Sequence, residues 1–158
     1  MKFWAWAAAC AVLPDADVVG FAFGVSYGSM FGHRGLSHSL AFAVVAGCAV
    51  ASLAFREARA FSRGWWGRAA FFAAATASHG LLDALTDGGL GVAFFAPFVA
   101  RRYFFPWRPI EVSPIGAGFF SVRGVVVFEN ELVWVWLPSA ALVVAVWGVR
   151  KLIEWRAP

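Results

Sequence analysis

Long apolar runs separated by short polar segments dominate the pattern of this chain. Three runs, over residues 36–55, 69–86 and 132–150, reach or approach the length of about 20 apolar residues that crosses a bilayer. A shorter run over residues 3–13 is followed by Pro14, which we expect to end its helix. The pattern therefore predicts an all-α integral membrane protein, a small bundle of about four transmembrane helices of which the first is short.

The segment between the last two predicted spans has a mixed pattern. Residues 92–100 are apolar but contain Pro97, so we expect a re-entrant or interfacial piece there. The aromatic residues 104–107 suit the headgroup level of a membrane. Alternating β-branched residues over 122–129 indicate a short strand. We expect residues 88–131 to form an outer cap on a single membrane domain that covers residues 1–158.

The composition supports a membrane protein and excludes a disordered chain. Hydrophobic residues make up 61% of the sequence, aromatic residues 18% and charged residues 14%. A soluble domain has about a quarter of its residues charged. A signal peptide is the alternative for the first apolar run, but its basic region is a single Lys2 and no small-residue cleavage site precedes Pro14. Cys10 and Cys48 lie in apolar runs, which indicates no disulfide framework and no cysteine metal site.

Basic residues predict the orientation of the spans. Arginines concentrate in the loop between the second and third predicted helices, and further basic residues flank both ends of the chain. The positive-inside rule places these groups in the cytoplasm, with both termini inside. Arg101, Arg102 and Arg108 lie in the outer cap against this rule, so we expect them to have a function there. The net charge of +4 fits this topology signal, and no nucleic-acid partner is expected.

Three short polar stretches are the candidate functional segments, because ionisable residues near a membrane interior are costly. They cover residues 13–17, 33–39 and 78–86, and each lies at the predicted outer end of a helix. They contain all three histidines of the chain and three of its nine acids. The candidate metal ligands are Asp15, Asp17, His33, His38, His79 and Asp83. Imidazole and carboxylate ligands without thiolates suit zinc, with manganese or iron as alternatives, and this set is large enough for one or two ions.

Each of these residues also has a structural interpretation when it is taken alone. The Asp pair fits a turn at a helix end, and His38 fits a ring that bonds a backbone carbonyl. His79 and Asp83, four residues apart on one helix face, fit a private hydrogen-bonded pair. Arg34 fits a surface charge near lipid phosphates. The convergence of all three stretches at one membrane depth favours a metal site over these separate interpretations.

Taken together, the motifs resemble a known family. Leu-Pro-Asp-x-Asp at 13–17, His-Arg-Gly-x-Ser-His-Ser at 33–39 and Ser-His-x-x-x-Asp-x-x-Thr at 78–86 are followed by Pro97-Phe98. This pattern, over about residues 13–114, resembles the YdjM-type inner-membrane family of metal-dependent hydrolases. The resemblance implies a metal site at the same Asp and His positions. The family usually has Thr at position 37, and its members commonly carry a Thr-His pair on a longer first helix, which this sequence lacks.

The residues and the resemblance together predict a membrane-embedded metal-dependent hydrolase. We expect metal-activated water to attack a phosphate ester, such as that of a membrane lipid, at the outer face of the inner (plasma) membrane. Asp15, Asp17 and Arg34 are the predicted catalytic residues, and Arg34, Arg101 and Arg102 are predicted to bind the substrate. The alternatives are a non-catalytic metal-binding or ion-handling membrane protein and a purely structural hydrogen-bonded network.

Overall fold

The computed structural model describes residues 1–156, which fall into two compact units, one from Met1 to Arg108 and one from Pro109 onward. The first unit contains α1 (Lys2–Val12), a 3₁₀ helix (Leu13–Phe23), a 3₁₀ turn (Leu36–His38), α2 (Leu40–Ala54) and α3 (Arg63–Ala84). The second contains a 3₁₀ turn (Gly116–Phe120), α4 (Val122–Glu131), a π-helical turn (Leu132–Trp136) and α5 (Leu137–Arg156). Apart from an isolated antiparallel bridge between Val92 and Tyr103, the regular elements of the described chain are all helical. The predicted all-α class is confirmed at this level.

Two helical stretches are long and apolar enough to cross a membrane, judged by length and composition. They run over Lys2–Phe23 and Val122–Trp155. Helix α2 is apolar but shorter, with 15 residues. Helix α3 has 22 residues and carries two arginines, His79 and Asp83. Two of the four expected spans therefore meet this criterion.

The strand expected over residues 122–129 is wrong, because this segment is helix α4. It continues through the π-helical turn into α5 without a break. Valines cost an α-helix only a few tenths of a kcal/mol each, and tertiary packing readily overrides that preference. Gly124 and Val127, three residues apart, are the buried positions of α4, as expected for one face of a helix. Helix α4 therefore occupies the last ten residues of the outer cap expected over residues 88–131, so less of this segment is irregular than expected.

At Pro14 the chain changes from an α-helix to a 3₁₀ helix and stays helical. Helix α1 ends at Val12, close to the expected position, and Pro14 lies in the first turn of the 3₁₀ helix that follows. A proline is accepted there because its missing N–H is not needed in a first turn. The path ends at Gly24, whose φ of 78° is a left-handed C-cap. This change of helix type places Asp15 and Asp17 in a tighter turn than an α-helix provides.

Helices α2 and α3 pack closely through small side chains. Gly47 lies against the backbone of Ala69 and Ala73, and a Cβ at this position would overlap them. Small residues at a helix interface let two backbones approach each other, a common device in membrane helices. Because the loop between α2 and α3 is short, the start of α2 and the end of α3 lie at the same end of the pair. The polar stretches around His38 and His79 are brought together at that end.

Candidate metal centre

The three polar stretches meet in one cluster in the first unit. Residues of the 3₁₀ helix after α1 face the turn that precedes α2, and both face the last turns of α3. The cluster contains all the candidate ligands, Asp15, Asp17, His33, His38, His79 and Asp83. The convergence that the sequence predicted is therefore present in the structure.

Four side-chain atoms face one another across the cluster. His38 Nε2 lies 3.1 Å from Asp83 Oδ2 and 3.5 Å from Asp15 Oδ1. His79 Nε2 lies 3.1 Å from Asp15 Oδ1 and 3.7 Å from Asp83 Oδ2. Ligand bonds of about 2.0–2.2 Å in a tetrahedron place neighbouring ligand atoms about 3.4 Å apart. The four distances are compatible with this spacing. Ligand atoms also lie within 4.8 Å of one another in two overlapping sets of three residues, Asp15/His33/His38 and His38/His79/Asp83, each of which could hold a metal ion.

Two of the four atoms lack a hydrogen bond. His38 Nε2 and Asp83 Oδ2 are buried and have no hydrogen-bond partner among residues 1–156, although they are only 3.1 Å apart. A buried polar atom without a partner costs about 1–3 kcal/mol, so native proteins rarely leave one. A metal ion between the two atoms would satisfy both, as would a proton on His38 Nε2 donated to Asp83 Oδ2. The donor set therefore fits a metal ion.

The other nitrogen of each facing histidine is held by the protein. His79 Nδ1 lies 2.8 Å from the Ala11 carbonyl, which can only accept, so Nδ1 carries the proton and donates it. His38 Nδ1 lies 3.2 Å from Asp17 Oδ2 and 3.0 Å from Ser37 Oγ. Metal-binding histidines usually donate their second N–H to a carbonyl or carboxylate in this way. The arrangement leaves Nε2 of both rings available as a ligand atom.

Asp17 connects the residues around the four facing atoms. One carboxylate oxygen accepts from His33 Nδ1 at 2.8 Å, and the other accepts from Ser37 Oγ at 2.5 Å. The His33 Nδ1 atom is 3.9 Å from Asp15 Oδ1, farther than the four facing atoms are from their nearest neighbours. The His33 ring packs edge-on against His38, with ring centres 5.2 Å apart. Asp17 and His33 are thus bonded to each other beside the four facing atoms.

Arg34 is buried and bonded to protein atoms. Its Nη2 donates to Asp83 Oδ1 at 3.0 Å and its Nη1 donates to the Gly88 carbonyl at 2.8 Å. Its φ of 61° lies in the left-handed region, a strained conformation that non-glycine residues adopt mainly at functional sites. Gly89 also has a positive φ, and a Cβ there would lie 2.8 Å from Arg34 Nη1 and from the Tyr27 hydroxyl. Arg34 therefore fixes the far oxygen of Asp83 and leaves the near one facing the histidines.

Arg102 holds the loop that carries His33. Its guanidinium group donates to four backbone carbonyls at 3.0–3.2 Å, those of Tyr27, Ser29, His33 and Gly91. Burial lowers the pKa of Arg102 from its usual value. A guanidinium group nevertheless stays charged in proteins. Arg101 is exposed, and its guanidinium lies 5.4 Å from the centre of the Tyr103 ring. Of the three arginines predicted to bind the substrate, Arg34 and Arg102 are hydrogen-bonded to protein atoms of the site. No such bond is found for Arg101 among the described contacts.

Three contributors to the site were not predicted from the sequence. Ser37 bonds both Asp17 and His38, and its position between two histidines is the signal that marks it. Gly89 has no side chain and so leaves room for the Arg34 guanidinium group. The Gly-Gly pair beside the third polar stretch is a weak sequence signal for this role. The Ala11 carbonyl has no signal in the sequence, because every residue offers a carbonyl.

The fold and the cluster define an all-helical protein with candidate membrane spans and a His/Asp site of the kind that holds a divalent metal. The profile of the YdjM inner membrane protein family matches residues 2–154, so the chain belongs to this family and the resemblance is confirmed. The chain is 42% identical over 142 residues to the inner membrane protein YbcI of Escherichia coli (strain K12), which covers 89% of this chain and 80% of that protein. No solved structure matches the chain. Both names support a location in the inner membrane.

Proposed function

We propose that this protein binds one divalent metal ion through Asp15, His38, His79 and Asp83, and hydrolyses a phosphate ester of a membrane lipid. The observation that supports the metal site best is the set of four short distances among the facing atoms, 3.1–3.7 Å, with two of these atoms buried and without a hydrogen bond. Two carboxylates and two neutral imidazoles balance the charge of a divalent ion. Zinc fits this set, and manganese or iron are the alternatives.

The proposed chemistry follows from the exposure of the ligands. The Asp15 side chain is 52% exposed, whereas those of His38, His79 and Asp83 are 0–18% exposed. A metal in such a site lowers the pKa of a coordinated water toward neutrality and polarises the ester that is attacked. Asp15, the most exposed of the proposed ligands, lies on the side from which a water and the substrate would reach the ion, while His38, His79 and Asp83 would hold it from the buried side. We propose that this side faces the outer leaflet, with both termini in the cytoplasm.

The remaining predicted residues have supporting roles in this proposal. Asp17 holds His38 and His33 through hydrogen bonds, and Arg34 holds Asp83. Since Asp17 and His33 satisfy each other, a second ion is not required, and one ion is proposed. Arg101 is the exposed cation of the cap and is proposed to bind the anionic part of the substrate.

A second candidate function is non-catalytic metal binding or ion handling. The observation that favours it concerns the guanidinium groups. Arg34 and Arg102 donate to protein oxygens and are not directed at an open anion site, whereas phosphate-cleaving sites commonly present such donors to the substrate. A metal site without guanidinium groups directed at a substrate would still hold an ion.

Hydrolysis by the metal-loaded protein tests the proposal. The full chain in detergent is stripped with a chelator, reloaded with zinc, manganese or iron, and assayed for phosphate release from phosphatidic acid and from a soluble aryl phosphate. We expect metal-dependent release that falls at least about 100-fold in His79→Ala. Ser78→Ala is the matched control, because Ser78 Oγ donates only to the Ala75 carbonyl of its own helix. Metal bound by wild type with no hydrolysis of either substrate would favour the second candidate.

A further inference from the structure

The loop that joins α2 to α3 carries exposed positive charge without matching acids. Here the basic loop means the linker over residues 55–62 together with the start of α3 as far as Arg68. Arg56, Arg59 and Arg63 are exposed, and no ion pair is found for them within the described part of the chain. The loop's one acid, Glu57, pairs with Arg68 at 3.4 Å. Three arginines at this end of the helices thus remain available to an anion.

An aromatic cluster is built into the same loop. The rings of Phe61, Trp65 and Trp66 lie 4.7–6.2 Å apart, centre to centre. Trp65 is 4% exposed and donates its Nε1–H to Ser52 Oγ of α2 at 3.1 Å, which anchors the cluster to the helix pair. Phe61 and Trp66 are 72% and 53% exposed. The cluster therefore has a fixed base and an apolar outer side.

Phe61 is held outward in a conformation that aromatic residues rarely adopt. Its φ of 61° is left-handed, although glycine is the residue that takes this conformation at little cost. Phe61 lies inside a turn that is closed by the Ser62 N–H, which donates to the Arg59 carbonyl, and the preceding turn is closed by the Ala58 N–H, which donates to the Phe55 carbonyl. In water, neither the backbone strain nor the exposure of the ring is favourable. The strained backbone and the exposed ring are both explained if the Phe61 ring enters the apolar layer of a membrane next to the loop.

The position of the loop fits a membrane surface distinct from the candidate metal centre. Helix α2 has 15 residues and is about 22 Å long at 1.5 Å per residue, with the metal cluster near its start and the basic loop at its end. Lys2 Nζ and Arg68 lie 5.1 and 5.4 Å from the centre of the Phe55 ring, so more positive charge collects at the same end. Aromatic rings and basic residues together are typical of the headgroup level of a bilayer.

We propose that the basic loop is a binding surface for anionic phospholipid. In this arrangement Arg56, Arg59 and Arg63 contact lipid phosphates, and Phe61 and Trp66 enter the apolar layer beneath the headgroups. Each basic residue near an anionic leaflet strengthens binding by about fivefold. The arginines favour an anionic headgroup over a zwitterionic one, and the rings require a lipid and not a dissolved phosphate.

The first test compares lipid binding by charge-matched variants. Full-length protein in a neutral detergent is titrated with phosphatidylglycerol or phosphatidylcholine, and bound lipid is counted by native mass spectrometry. Arg59→Gln/Arg63→Gln removes the arginines on both sides of Phe61. The control pair, Arg108→Gln/Arg123→Gln, removes two exposed arginines of the segment that is expected on the outer side. We expect wild type to prefer phosphatidylglycerol, the loop pair to bind it about 25-fold more weakly, and the control pair to stay within about twofold.

A second variant separates lipid contact from stability. Phe61→Gly removes the ring and relieves the positive φ, so the protein in neutral detergent should keep its Tm or gain slightly. We expect the same variant to bind phosphatidylglycerol at least about threefold more weakly. Three outcomes overturn the proposal: equal binding of both lipids by wild type, equal losses in the loop pair and the control pair, or full competition by inorganic phosphate at millimolar concentration.

Discussion

The two ends of the α2–α3 helix pair hold polar residues in opposite ways. At the candidate metal centre, the charged and polar side chains are bonded to one another and, except for Asp15, buried or half-buried. Asp17, for example, contacts His33, Ser37 and His38. At the basic loop, the arginines are exposed and mostly unpaired in the residues that the structure describes. Burial makes a charge costly without partners, whereas exposure leaves it solvated.

This difference predicts how each end responds to substitution. In a buried network each member positions the next, so a single change removes several interactions at once and effects are not additive. Exposed arginines act through the field at the surface, so each contributes a small and separable amount.

Asp83→Ala should have the largest effect. It removes a ligand of the proposed metal and leaves the buried Arg34 guanidinium without its carboxylate. Breaking a buried ion pair costs about 3–5 kcal/mol of unfolding free energy. We expect metal affinity to fall by more than about 100-fold and the Tm in detergent to fall clearly, measured by equilibrium dialysis and thermal unfolding. Asp83→Asn is the control for stability, since its amide oxygen can still accept from Arg34.

Asp17→Asn should weaken metal binding without removing a proposed ligand. The change replaces the carboxylate that orients the His38 and His33 rings, and the loss of such a partner typically costs 10–100-fold in metal affinity. Equilibrium dialysis of the variant against the metal measures this loss. Glu57→Gln, an exposed acid at the other end, should leave affinity unchanged. Unchanged affinity in Asp17→Asn would show that the rings are held by their packing alone.

Arg102→Lys tests whether the loop around His33 must be fixed. A lysine ammonium cannot reproduce the planar fork that donates to four carbonyls. We expect about a tenfold loss of metal affinity and about 1–3 kcal/mol less stability, because buried carbonyls lose their donors. Arg101→Lys should change neither quantity, since Arg101 is exposed next to Tyr103. Equal losses of metal affinity and stability in both variants would show that Arg102 does not position the loop around His33.

Arg63→Gln should have the smallest effect on the protein itself. This arginine is exposed at the start of α3, and surface substitutions of this kind change stability by less than about 0.5 kcal/mol. Thermal unfolding in neutral detergent should therefore match wild type. A large loss of stability would mean that the basic loop belongs to the same buried network as the metal centre, which would remove the contrast between the two ends.

The sequence was sufficient to predict which residues meet but not how they bond. Asp15, His38 and His79 could be placed together because each lies at a helix end that the hydropathy pattern locates. Which ring nitrogen faces the cluster depends on the Ala11 carbonyl and on Asp17, and such contacts follow from tertiary packing. The role of Arg102 could not be predicted for the same reason, since its acceptors are backbone atoms of an irregular loop.

Secondary structure was predicted best where the apolar runs are long. The end of α1 and the whole of α2 follow the pattern closely. The β-branched run at 122–129 fits a strand and a helix equally well over so few residues, and the apolar run that follows extends the helix back through it. The 3₁₀ helix after Pro14 was not expected, because a proline is permitted at the start of a helix as well as at its end.

The metal content of the purified protein tests the central claim most directly. The full chain is extracted in detergent without chelators and measured by elemental analysis beside His79→Ala and Ser78→Ala. The four facing atoms predict close to one zinc, manganese or iron ion per chain in wild type and in Ser78→Ala, and far less in His79→Ala. No bound metal in wild type, and none after reconstitution with each ion, would contradict the account and leave the cluster as a structural hydrogen-bonded network.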